Sequence, residues 1–210
     1  MRKGIFISIE GPDGSGKSTQ IENIKDFFKE KNIDIVFTRE PGGTPIGERI
    51  RDIILDVNCK EMCSMTEALL YAASRAQHVD EIIKPALEEG KVVICDRFVD
   101  SSLAYQGYGR GLGDSVRVIN EYAISGYMPD ITFMMELDPE VGISRMIHRG
   151  KLDRLEEEKV SFHKKVFEGY LELEKKYPNR IVAIDASRSI EEIRNDIYSK
   201  LENVLREHEF

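Results

Sequence analysis

The run Gly11-Pro12-Asp13-Gly14-Ser15-Gly16-Lys17-Ser18 matches the pattern G-x-x-x-x-G-K-[ST] at every fixed position. An apolar stretch, Gly4-Ile5-Phe6-Ile7-Ser8-Ile9, leads into it. A helical pattern with Ile21, Ile24, Phe27 and Phe28 on one face leads out. Strand, glycine loop and helix together aim several backbone N–H groups at one point. The first-turn donors of a helix are unpaired and its dipole is positive there, so that point favours an anion. Lys17 is expected to reach β- and γ-phosphates, and Ser18 to hold a phosphate-bridging Mg²⁺.

Five strand candidates alternate with helical stretches: Ile5–Ile9, Ile33–Thr38, Val92–Cys95, Ile131–Leu137 and Ile181–Ile184. Most are near-continuous apolar runs, the pattern of strands covered on both faces. The expected architecture is α/β, three layers, with a five-stranded parallel sheet between helices. At the C-terminal end Ile190, Ile193, Ile197, Leu201 and Val204 keep helical spacing, and Ser189 with Glu192 forms a capping-box pattern. With 210 residues and no repeat or linker, a single domain over 1–210 is expected, with a short lid around 145–159.

The formal net charge of −8 argues against a nucleic-acid partner, which calls for a basic face. No run of eighteen apolar residues is present, so no membrane partner is expected. Met1-Arg2-Lys3-Gly4 enters a strand at once and leaves no room for a signal peptide. Cys59, Cys63 and Cys95 are odd in number and lack zinc-type spacing, which suits a cytoplasmic protein. In an acidic chain that binds phosphate, the placement of arginine is informative. Asp96-Arg97 ends the third strand candidate and Arg39 ends the second. Both face the carboxyl edge where ligands of parallel sheets bind. Asp96 can hold Mg²⁺ through water, and both guanidiniums can grip a phosphate, although strand-end salt bridges and surface arginines have the same pattern. Tyr71 and Arg75 are four apart on one helix face, suited to a nucleobase or to plain packing, with Leu69, Ala73 and Ala76 on the side expected against the sheet. Pro85 marks an expected kink near the end of that helix. Gly107, Gly109, Gly111 and Gly113 suggest a loose loop. Arg145, Arg149, Lys151 and Arg154 surround Gly150 and read either as a solvated face or as a closing lid.

Taken together, these segments resemble thymidylate kinase over essentially the whole chain. The resemblance is carried by Gly11–Ser18 with Asp13 inside it, Arg39-Glu40-Pro41-Gly42-Gly43-Thr44, Tyr71 with Arg75, Asp96-Arg97-Phe98, Ser101-Ser102-Leu103-Ala104-Tyr105-Gln106-Gly107, and Arg149-Gly150-Lys151-Leu152-Asp153-Arg154. It implies a P-loop nucleoside monophosphate kinase, a homodimer, with ATP and Mg²⁺ as donor complex and dTMP as acceptor. ATP is then expected on Gly11, Pro12, Asp13, Gly14, Ser15, Gly16, Lys17, Ser18 and Thr19, and the metal on Ser18 and Asp96. By similarity, Arg39 and Arg97 bind the dTMP phosphate with Asp13 at the sugar, and Tyr71 stacks on thymine. Arg75 bonds its carbonyl, Ser102 and Gln106 lie at the base, and Tyr105 crowds the 2′ position. The family often has Phe at position 71 and Tyr at position 98; both departures keep the ring. Positions 12–15 carry no arginine, so the catalytic cations implied are Lys17, Arg97 and a lid arginine, Arg149 or Arg154.

Overall fold

The computed structural model describes residues 4–149 and 152–208, apart from the side chains of Met146, His148 and Arg149. The elements run β1 (Phe6–Glu10), α1 (Lys17–Glu30), β2 (Ile35–Arg39), α2 (Pro45–Leu55), α3 (Ser64–His78), a π-helical turn (Val79–Ile83) and α4 (Lys84–Glu88). Then come β3 (Val92–Asp96), α5 (Val99–Ser102), a π-helical segment (Leu103–Gly109) and α6 (Asp114–Ile124). They end with β4 (Ile131–Glu136), α7 (Pro139–Arg149), α8 (Val160–Lys176), β5 (Ile181–Asp185) and α9 (Ile190–Glu207). All five expected strands are present.

The strands form one parallel sheet in the order β2-β3-β1-β4-β5. Ile5, Ile7 and Ile9 point to one face and pack with Ile21, Ile24, Phe28, Ile197 and Leu201 of α1 and α9. Phe6, Val93 and Cys95 point to the other, against Val79, Ile83, Leu87 and Phe98. Double-sided cover is why these strands read as continuous apolar runs. Each fully buried Ile or Phe contributes about 1.5–3 kcal/mol relative to exposure. The capping box at Ser189 and Glu192 forms as expected.

Strand order reverses at β1, which has β3 on one side and β4 on the other. Such a switch point opens a crevice at the carboxyl ends of the strands. Register makes it level: Asp96 pairs with Ile9 on one side and with Arg39 on the other. The exits of β1, β2 and β3 therefore meet at one rim.

Three local expectations are corrected. Leu69, Ala73 and Ala76 do not pack on the sheet; they face outward, Leu69 being 51% exposed. The inward face of α3 carries Glu67, Ala68, Ala72, Ser74, Arg75 and His78. Polar groups are buried there because each finds a partner on another element, which no helical periodicity records. The break expected at Pro85 starts one turn earlier, as the π-helical turn before a residue with no N–H to donate. The glycine-rich stretch is a loop only in its second half: Leu103–Gly109 is π-helical and packs on α8, whereas Gly111 and Gly113 lie in the irregular link to α6 with positive φ. A β-carbon at Gly109 would stand 2.8 Å from Phe162, and one at Gly169 would stand 2.8 Å from Tyr108, so both positions admit close approach.

Candidate active site

The loop after β1 wraps the N-terminus of α1. Gly16 takes a left-handed conformation, φ 88°, and no side chain caps the helix, so its first-turn N–H groups remain open to an anion. Gly14 has φ 76°, and a β-carbon there would sit 2.5 Å from the Gly142 carbonyl of α7. The loop is thus clamped between α1 and α7. Lys17 Nζ donates to the carbonyls of Gly11 (3.0 Å) and Pro12 (2.8 Å). Burial and the neighbouring Arg97 push Lys17 down to about 8.

A cavity of about 430 Å³ opens beside this loop. Asp13, Gly14, Gly16, Lys17, Ser18, Arg39, Tyr71, Arg75, Asp96, Arg97, Ser102, Tyr105 and Gln106 all line it. Residues separated by more than ninety positions thus share one wall. Of the other expected residues, Gly11 and Pro12 enter through their carbonyls, which hold Lys17 and, for Gly11, Arg97. Ser15 is buried, its Oγ without a partner among the described residues, and Thr19 lies in the first turn of α1.

Arg97 sits at the centre. Its backbone is left-handed (φ 66°), an unusual state for a residue with a side chain, and its N–H is tied to the Ile9 carbonyl at 2.9 Å. Its guanidinium donates to the Gly11 carbonyl, Ser101 Oγ and Tyr170 OH at 2.9–3.1 Å, and to Asp13 Oδ1 at 2.5 Å. Glu10 holds the turn from beneath: its Oε1 accepts the Phe98 N–H at 2.7 Å. Asp13 also accepts the Tyr105 hydroxyl at 2.9 Å. Burial pushes the Asp13 carboxyl up, but Arg97 and Lys17 outweigh it and hold it far below the usual carboxylate range.

Arg39 is paired with both carboxylate oxygens of Glu48, at 2.9 and 3.0 Å, and donates to the Pro41 carbonyl. The peptide before Pro41 is cis. Arg75 is almost wholly buried, and all five of its N–H groups are engaged, by Glu40, Ser102, Asn120 and the Phe98 carbonyl. A ligand carbonyl at Arg75 must share one of these donors or displace an acceptor. Asp96 Oδ1 is buried without a partner among the described residues.

The lid residues divide. The Arg145 guanidinium donates to the Gly14 carbonyl at 3.0 Å, on the phosphate loop. Arg154 points to the Ile54 carbonyl (2.7 Å) and to Glu67 (2.8 Å). The Arg149 side chain, with Gly150 and Lys151, lies outside the described residues.

A family model described as Thymidylate kinase matches residues 9–197. A thymidylate kinase from Clostridium novyi is 52% identical over 200 residues, covering 94% of this chain and 98% of that protein. One from Lactobacillus helveticus is 52% identical over 209 residues, covering 98% and 99%. The crystal structure of thymidylate kinase from Ehrlichia chaffeensis matches with a TM-score of 0.77 at 33% identity, covering 95% of this chain and 98% of that one. The chain belongs to the thymidylate kinase family.

In this member of the thymidylate kinase family, sequence reading missed several residues at the cavity. Arg51 of α2 lines it and donates to the Pro41 carbonyl at 2.9 Å. Glu40 bridges Arg75 and His78, and His78 bonds Thr38 at 2.6 Å. Asp153, Leu155 and Glu156 close the side facing α2. Arg51 left no motif to find. Glu40 lies within the segment 39–44, but its buried partners lie on other elements. Among the described residues no group of three His, Cys, Asp or Glu side chains could hold a metal alone.

Proposed function

We propose that the chain transfers the γ-phosphoryl group of ATP to the phosphate of dTMP, giving dTDP and ADP in dTTP synthesis. The observation that carries this reading is a single cavity in which the phosphate loop faces Arg39, Arg51 and Arg97. Two polyanions must be brought end to end, and these groups supply the opposing charge. A phosphate monoester has its second pKa at about 6, so the acceptor is already a dianion near neutrality and needs no general base. Catalysis is positioning plus neutralisation of charge on the transferring oxygens. Lys17 and the amides of residues 13–18 hold the donor; Arg39, Arg51 and Arg97 hold the acceptor phosphate. Tyr71 stacks on the base, while Ser102, Gln106 and Arg75 line its polar edge. Tyr105, fixed by Asp13, faces the sugar. A lid arginine, Arg149 or Arg154, completes the cation set.

Family members use ATP as phosphoryl donor, generally with a divalent metal. Here the donor set fits Mg²⁺ carried on the nucleotide: Ser18 offers a hydroxyl, and Asp96 offers a buried carboxylate oxygen with no partner among the described residues. When bound there, the ion would supply positive charge to the nucleotide phosphates.

The reading includes a homodimer. Ile46 and Ile53 of α2, Leu69 of α3, and Val118 and Tyr122 of α6 are exposed, and these three helices pack side by side with α3 central. An apolar face of this extent suits a second copy. Sedimentation equilibrium is expected to give twice the chain mass; a monomer at micromolar concentration removes the dimer. A cytoplasmic setting is supported by Cys59, Cys63 and Cys95, all free thiols. No described helix is long and apolar enough to cross a membrane.

Release of ADP in a coupled assay tests the reaction. Turnover is expected with dTMP and to be far weaker with dCMP, dAMP or dGMP. Equal rates with and without dTMP defeat the proposal. The same assay on Arg149→Ala and Arg154→Ala identifies the lid cation as the one whose loss lowers kcat more than it raises KM.

A further inference from the structure

Glu67 is almost wholly buried at the start of α3, yet four hydrogen bonds converge on it. Arg110 donates through Nε (3.1 Å) and Nη2 (2.9 Å), and Arg154 donates at 2.8 Å. The fourth is Gln106 Nε2, 2.9 Å from Glu67 Oε1. An ionised carboxylate only accepts, so the end of the Gln106 amide facing it must be the NH₂ end. The opposite end follows: Gln106 Oε1 is buried, without a partner among the described residues, on a side chain that lines the cavity. An unpaired buried acceptor costs free energy unless a ligand supplies a donor. Burial pushes the Glu67 carboxyl up, but bonds from Arg110, Gln106 and Arg154 outweigh it and hold the group below its ordinary value. The acceptor-only state therefore persists through the neutral range.

We propose that Glu67 is a specificity-determining positioning residue: it locks the Gln106 amide with its oxygen toward the base, so that a pyrimidine is admitted only if it carries a hydrogen on N3. Thymine presents an N3–H donor. Cytosine presents a bare N3, and two acceptors then face each other. Arg110 and Arg154 hold Glu67 charged, and Arg110 also pairs with Glu158 at 2.5 Å. The lid side of the molecule and the base-reading amide thus share one carboxylate. The inference rests on the acceptor site assigned above, with Gln106 at the base.

The test is the ratio of kcat/KM for dTMP to that for dCMP in the full-length enzyme. Glu67→Gln can donate or accept, so it lets the Gln106 amide turn; the ratio is expected to fall about tenfold, the size of one net buried hydrogen bond. Glu67→Asp keeps an acceptor-only group and is expected to retain a ratio near that of wild type. A merely structural role lowers both substrates alike in Glu67→Gln, and an unchanged ratio overturns the proposal. Should Glu67→Gln fail to fold, nuclear magnetic resonance of the wild-type enzyme with dTMP decides. The Gln106 NH₂ protons are expected to stay protected from solvent exchange and to make no contact with the base; contact with the base overturns the proposal. N3-methyl-dTMP separates the two layers of inference. If wild type accepts it as well as dTMP, the placement of Gln106 at the base fails and Glu67 falls with it. If it is rejected while the ratio in Glu67→Gln is unchanged, only the role of Glu67 fails.

Discussion

Lys17→Ala is expected to lower kcat by about 10³-fold or more while leaving the fold intact, because a transition-state cation of a phosphoryl transferase has effects of that size. Lys17 folds back onto the carbonyls of Gly11 and Pro12. Those carbonyls belong to the loop itself, so truncation removes a charge without removing a tertiary anchor. The check is kcat by coupled assay beside a thermal unfolding midpoint; wild-type turnover in the variant refutes the role. A second readout uses the same residue. Burial and Arg97 hold Lys17 down at about 8, against an ordinary value of 10.5. Between those two values the unfolded chain binds more protons than the folded one, so Lys17's contribution to stability rises with pH across that window, and its full cost is felt below it. Bound phosphates reverse the shift. ATP binding at about pH 8.5 is therefore expected to take up a fraction of a proton, seen by calorimetry in buffers of different ionisation enthalpy. Lys17→Ala is expected to take up none.

Arg97→Ala is expected to lower kcat/KM for dTMP by about 10³-fold and to destabilise the protein by about 1–3 kcal/mol. The first effect is loss of a cation facing the acceptor phosphate. The second arises because Asp13 loses the partner of its Oδ1, leaving the Tyr105 hydroxyl as its side-chain hydrogen bond among the described residues. Asp13 in the native protein is held far below the ordinary carboxylate range, so its stabilising contribution is present above the unfolded value and is lost only as pH falls toward the low folded value. Without Arg97, only Lys17 and the Tyr105 hydroxyl are left to oppose burial, and the carboxyl rises. Acid unfolding of the variant therefore begins at higher pH, which urea titrations at several pH values measure. Arg97→Gly provides an internal control, since glycine accepts φ 66° without strain. It is expected to be as inactive as Arg97→Ala but more stable by about 0.5–1 kcal/mol. Retained activity in either variant removes Arg97 from the site.

The legible parts of this protein were those written in local spacing. Glycines at fixed offsets, a lysine at the helix start and apolar runs of strand length located the phosphate loop and all five strands, because these depend on backbone sterics and on burial of consecutive side chains. Ser189 and Glu192 formed their cap for the same reason, both partners lying within one turn. Arginines at strand exits followed from the rule that parallel sheets bind ligands at their carboxyl ends, and the register of Asp96 with Ile9 and Arg39 brought them level.

What spacing could not show was the choice of partner across long separations. The orientation of α3 is the clearest instance. Its apolar stripe of Leu69, Ala73 and Ala76 faces outward, and its charged side chains face inward, because Glu40, Arg110 and Asn120 arrive from elsewhere to satisfy them. The same holds for Arg154, a lid arginine by sequence and a partner of Glu67 in space. Steric rules and hydrophobic periodicity act between near neighbours, so a chain read in order reveals where loops and strands must form. A buried charge is stable only opposite another group, and that opposite group is chosen by how the sheet order and helix packing fold distant segments together.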